Sequence, residues 1–109
     1  MNFNEYQTAV VRTLKRGDNE RFDLNHMALG VAGESGELVD CIKKHTVYGK
    51  VLDKENLAEE IGDSLWYLSN ICNLMGWDLA AIAEKNIVKL HARYPEKYTD
   101  ELASVRLDK

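Results

Sequence analysis

Residues 53–76 read DKENLAEEIGDSLWYLSNICNLMG, and their periodicity decides the fold. Leu57, Ile61, Leu65, Leu68, Cys72 and Met75 recur at steps of three and four, the spacing of one face of an α-helix. Asp53 stands before the run as an N-cap and Gly76 follows it as a stop. The next segment repeats the pattern: Asp78 caps it, Leu79, Ile82, Ala83, Ile87 and Leu90 form its stripe, and it ends near Arg93, ahead of Pro95. Upstream, Asn2 and Glu5 make a capping pair for a helix over residues 3–16, which Gly17-Asp18-Asn19 closes. Asp23 is the expected cap of a helix running to residue 44, and a short last helix is expected after Thr99.

With one proline and no run of alternating β-branched residues, the chain reads as all-α. Helices of this length cannot bury such stripes alone, so a four-helix-bundle-like packing is expected over one domain, residues 1–109. Four helices from 109 residues give a thin core. Trp66, Tyr67 and Ile71 are then expected at the surface as part of a subunit interface, in a homodimer or homotetramer. Cys41 and Cys72 lie far apart in apolar stretches, as reduced core residues do. The first residues have no signal-peptide pattern, and no run approaches the roughly 18 apolar residues of a membrane span. No membrane partner and a cytoplasmic location are the expectation.

The formal charge is −4, from 18 acidic and 14 basic residues. Residues 1–33 carry four acids and four bases, and residues 64–109 carry six of each. Residues 34–63 carry eight acids against four lysines, so the whole surplus lies in this central block. An acid excess argues against a general nucleic-acid binder, which carries a basic stripe. A solubilising surface would spread its charge, so the block marks where chemistry is to be sought.

Within it, Glu34 and Glu37 lie three residues apart on one helix face, and Glu60 and Asp63 repeat the device on the next helix. Converging, the two pairs make a four-carboxylate cluster that cannot stay ionised without a cation. All-oxygen ligands select Mg²⁺, with Mn²⁺ as a substitute. Taken singly, such a pair more often only solvates a helix surface. Glu60 and Asp63, however, flank Ile61 of the apolar stripe, and Gly30, Gly33, Gly36 and Gly62 crowd the acids. Each mid-helix glycine costs about 1 kcal/mol relative to alanine, which implies close approach by another backbone or a ligand. A di-iron bundle would need Glu-x-x-His, and none of His26, His45 or His91 stands three residues after a glutamate.

Asn86, Lys89 and Arg93 fall on one line of the fourth helix, placed to reach into the same cleft and hold phosphate oxygens. The same cations also suit a helix C-terminus. Lys43 is a further phosphate candidate, and His26, two turns before Glu34, a candidate contact to base or ribose.

These residues resemble the MazG-like nucleoside triphosphate pyrophosphohydrolases, an all-α family. The resemblance runs through Ala28-Leu29-Gly30-Val31-Ala32-Gly33-Glu34-Ser35-Gly36-Glu37-Leu38, then Glu59-Glu60-Ile61-Gly62-Asp63-Ser64-Leu65-Trp66-Tyr67-Leu68, then Asn86-Ile87-Val88-Lys89-Leu90-His91-Ala92-Arg93-Tyr94-Pro95. It implies Mg²⁺-dependent hydrolysis of a nucleoside triphosphate to monophosphate and pyrophosphate, in nucleotide-pool housecleaning or control. Glu34, Glu37, Glu60 and Asp63 match the family's metal ligands, and Asn86, Lys89 and Arg93 its phosphate side. Gly33 departs from members that carry glutamate there, and resembles a shorter subgroup found in phage and bacterial genomes. Glu34 is the first candidate general base and Glu37 the second. The resemblance leaves open a dUTP or phosphoribosyl-ATP substrate, and a module that binds Mg²⁺–nucleotide without turnover.

Overall fold

A computed structural model describes residues 1–108, and every regular element in them is helical. They are α1 (Phe3–Val10), a 3₁₀ turn (Val11–Thr13), α2 (Glu20–Thr46), α3 (Lys54–Met75), α4 (Leu79–Arg93) and α5 (Asp100–Val105). None of these helices is long and apolar enough to cross a membrane.

Local chemistry explains most of the boundaries. Asn2 and Glu5 form the expected capping box, each side chain accepting from the other's backbone N–H. The α-helix stops at Val10 and tightens into the 3₁₀ turn, shorter than the span expected to residue 16. At α2 the expected cap is corrected. Asn19, not Asp23, accepts from Phe22 N–H at 2.9 Å, so the helix starts earlier. Asp23 is thereby free to accept from the Gly17 N–H at 2.6 Å, and it is buried in that loop contact. Asp53, Asp78 and Thr99 cap α3, α4 and α5. At the end of α3, Gly76 adopts φ 70°, and its N–H and that of Trp77 close onto the Asn73 and Cys72 carbonyls. Only a residue without a Cβ takes that left-handed position at little cost.

Most of the packing is between α2 and α3, which form a long antiparallel hairpin; α1 lies on α3, and α4 lies on α1. Gln7 holds the three-helix elbow together. Its amide N–H donates to Asn73 Oδ1 (3.0 Å) and to the Trp77 carbonyl (2.7 Å), while its oxygen accepts from Leu79 N–H (2.8 Å). Asn73 returns a bond to the Gln7 carbonyl and another to Asn70. The C-terminal segment folds back on α4 through a two-pronged ion pair, Arg93 Nε to Asp108 at 2.7 Å and Nη2 at 3.0 Å.

The apolar core is small: Val10, Met27, Cys41, Cys72 and Leu74. The α3 stripe is split by this packing. Cys72 points inward, whereas Ile61, Leu68 and Met75 are 56%, 45% and 38% exposed. Trp66, Tyr67 and Ile71, expected at the surface, are instead half-buried. The reason is specific for the two rings. Trp66 donates its indole N–H to Thr13 Oγ1 at 2.8 Å, and Tyr67 lies over Gly30, where a Cβ would collide with its ring. Both cysteines are free and buried. The radius of gyration is 17.1 Å, against about 13 Å for a closed chain of this size.

Replacing Gln7 by alanine removes three side-chain hydrogen bonds that join α1, α3 and α4. Urea unfolding should show a loss of about 2 kcal/mol with an unchanged m-value.

Candidate functional site

The facing sides of α2 and α3 bring three carboxylates together. One oxygen from each of Glu34, Glu37 and Glu60 lies within 4.8 Å of the others. The i, i+3 spacing sets the first two on one face of α2, and the hairpin register brings Glu60 opposite them. Glu60 is buried, and its Oε2, like Glu34 Oε2, has no hydrogen-bond partner. Its backbone carbonyl is occupied by the Ser64 hydroxyl at 2.8 Å.

Such crowding has an electrostatic signature. The Glu60 carboxyl is pushed above the ordinary glutamate range, first by the neighbouring Glu34 carboxylate, which favours a proton on Glu60. Loss of solvent and the charges of Glu34 and Asp63 act in the same direction, and the neighbouring Glu37 opposes them. Two orphaned carboxylate oxygens beside a third acid require a proton or a cation. A hard divalent ion fits this all-oxygen donor set.

Asp63 stands beside the trio rather than within it. It lies close enough to raise Glu60 and to add to the burial that raises the Tyr6 hydroxyl. Two clefts flank the carboxylates. One, of about 370 Å³, is lined by Thr13, Glu34, Asp63, Trp66 and Tyr67. The other, of about 440 Å³, is lined by Gly33, Gly36, Glu37, Asp40, Lys44, Asn56 and Glu60. Of the acid-crowding glycines, Gly30 is where an aromatic ring approaches closely. At Gly33, Gly36 and Gly62 an added Cβ would meet nothing within 4 Å, so these open space instead.

The other residues expected at the site lie elsewhere. Asn86 and Lys89 are exposed on α4, whose main packing partner is α1 rather than either carboxylate helix. Arg93 gives its guanidinium to Asp108. The pair holds Arg93 above its usual range and the Asp108 carboxyl well below its own. Lys43 turns toward the Tyr48 ring, 5.8 Å from its centroid, while Lys44 lines the second cleft and pairs with Asp40 at 3.2 Å. His26 is exposed and lines neither cleft.

Some cleft residues were missed although the sequence carried a signal for them. Asn56 lies one turn before Glu60, and Trp66 and Tyr67 lie three and four residues after Asp63, on the same faces. Thr13 carried no such signal, because a bond over 53 residues brings it in.

Residues 22–98 match the family model described as the MazG nucleotide pyrophosphohydrolase domain. The gene 37 protein of Mycobacterium phage L5 is 30% identical over 102 residues, covering 85% of this chain and 89% of its own length. No solved structure shows significant similarity.

A raised folded-state pKa favours the fold while the group is protonated. The Glu60 contribution is complete below about pH 4.5 and is lost as pH rises through the raised value. In EDTA at neutral pH, Glu60→Gln should therefore melt at a higher temperature than the parent. The gap should widen from pH 4.5 upward, and Mg²⁺ or Mn²⁺ should raise the parent's midpoint more than the variant's.

Proposed function

The chain belongs to the MazG nucleotide pyrophosphohydrolase family, and from that premise we propose that it hydrolyses a nucleoside triphosphate, NTP or dNTP, to the monophosphate and pyrophosphate with Mg²⁺. The observation that carries this reading is the Glu34, Glu37, Glu60 trio, with two unpartnered carboxylate oxygens between two clefts large enough for parts of a nucleotide.

In this reading Glu34, Glu37 and Glu60 would hold a divalent cation, with Asp63 as a further ligand. When bound, the ion neutralises phosphate oxygens and acidifies a water. Glu34 accepts a proton from the attacking water as the water's oxygen bonds to phosphorus, and Glu37 is the alternative base. The anhydride P–O bond breaks and its electron pair leaves with the pyrophosphate. Asn86 and Lys89 keep a phosphate role only if another copy of the chain brings α4 over the hairpin; Arg93 must also release Asp108.

We further assign the exposed stripe of Ile61, Leu68 and Met75 to contact with a second copy of the chain, as a homodimer or homotetramer. A core this thin in a chain this open supports it. The two free buried cysteines accord with a reducing cytoplasm.

Incubation with canonical and modified NTPs and dNTPs should release monophosphate and pyrophosphate, separated by chromatography, and EDTA should stop it. Glu37→Gln and Asp63→Asn should each lower kcat by roughly 10²-fold or more with an unchanged helical spectrum. Full activity of both variants in EDTA would sink the metal mechanism, and tight nucleotide binding without turnover would identify a sensor.

Sedimentation velocity should give a multiple of the 12.4 kDa chain mass. Ile61→Glu combined with Leu68→Glu should reduce it to the monomer.

A further inference from the structure

We infer that the ion pair at the end of α4 is a phosphate-operated latch. Asp108 fills an anion site made by Arg93 and Arg106, and a polyphosphate displaces it and releases the C-terminal segment. The latch stands on its own contacts. Its effect on turnover rests on the pyrophosphohydrolase reading, for which it supplies the release of Arg93.

The cluster is short of negative charge. Asp108 accepts from Arg93 Nε at 2.7 Å and from Nη2 at 3.0 Å, and Arg106 Nε lies 3.6 Å from the same carboxylate. That last separation is beyond hydrogen-bond reach, and the Arg106 Nε is buried with no partner among the described residues. One carboxylate therefore serves two guanidiniums. The Asp108 side chain is 3% exposed and that of Arg106 is 41% exposed, so an arriving anion meets Arg106 first. Phosphate groups carry more charge than a carboxylate and accept the same two-pronged bonds from arginine.

The segment that Asp108 fastens is built to come loose. α5 has six residues, too few to stay helical unless its surroundings fix it, and none of the principal helix contacts involves it. Arg106 ends it at φ 59°, a left-handed position that costs a residue with a Cβ energy and that opening relieves. Apart from the ion pair, the segment is steadied by the Tyr98 ring against Tyr94, with centroids 5.2 Å apart. The tether sets the threshold for release. Fifteen positions separate Arg93 from Asp108, and a carboxylate so joined competes at an effective concentration on the order of mM. A free monocarboxylate at that level gains nothing over Asp108, whereas a polyphosphate engages both guanidiniums.

Amide hydrogen exchange over residues 99–108 reads the latch directly, in EDTA so that no cation holds phosphate at the glutamates. Millimolar pyrophosphate should speed exchange there roughly 5-fold or more, while acetate, or NaCl of equal ionic strength, should not. In Asp108→Asn exchange should be fast from the start, and pyrophosphate should add little. With Mg²⁺ and the best nucleotide, the same variant should lower KM roughly 3- to 10-fold with kcat within about twofold, because Arg93 no longer has to be released.

Pyrophosphate that slows exchange in the parent or leaves it unchanged overturns the latch. So does an Asp108→Asn variant whose KM is unchanged or raised, the mark of a purely structural pair. Should Asp108→Asn fail to fold, the response of the parent decides. Faster exchange without turnover of any nucleotide keeps the latch and sinks the hydrolase reading. Turnover without an exchange response does the reverse.

Discussion

Three glutamates within 4.8 Å of one another repel, and much of the structure is arranged around holding them there. Two long helices are needed so that one carboxylate can approach from the side opposite the other two. Their rigidity comes from backbone hydrogen bonds and from the Gly30–Tyr67 contact, which lets α2 and α3 draw close near the acids. The cost falls on Glu60, buried and pushed toward protonation, with an oxygen left without a partner. A proton or a bound cation would each offset that cost.

The rest of the chain serves the hairpin without enclosing it. Gln7 and Asn73 fasten α1 to the far end of α3 and set the angle at which α4 departs. Through the Thr13–Trp66 bond the same N-terminal segment reaches the cleft beside Glu34 and Asp63. The N-terminal segment thus touches both the elbow and the cleft beside the carboxylates. Meanwhile one flank of α3 keeps an apolar row in solvent, and the chain remains wider than a closed globule. An unfinished core and a site on the open face of a hairpin are two consequences of the same economy of chain.

Much was legible without coordinates because it is local. Capping acts over three residues, so Asn2, Asp53, Asp78 and Thr99 could be placed from their neighbours. Asp23 misled because Asn19 lies four residues earlier and offers the same chemistry; which residue caps and which closes the loop depends on the Gly17 contact. The convergence of Glu34, Glu37 and Glu60 was readable because helical periodicity fixes faces and a short loop makes neighbours antiparallel.

Helix identity, helix faces and the pairing of acids were therefore written in 109 residues of sequence, since each depends on separations of four residues or fewer. What required the folded chain was everything set by how helices lean on one another. Arg93 reads as a phosphate ligand along α4, yet Asp108 takes it. Ile61 reads as core, yet it is exposed, because the hairpin needs the adjacent position for Glu60. Asn86 and Lys89 line up with Arg93, but α4 rests on α1, away from the face where the acids gather. Periodicity says which residues share a face. Only tertiary packing, a sum of many weak contacts between distant segments, says what that face meets.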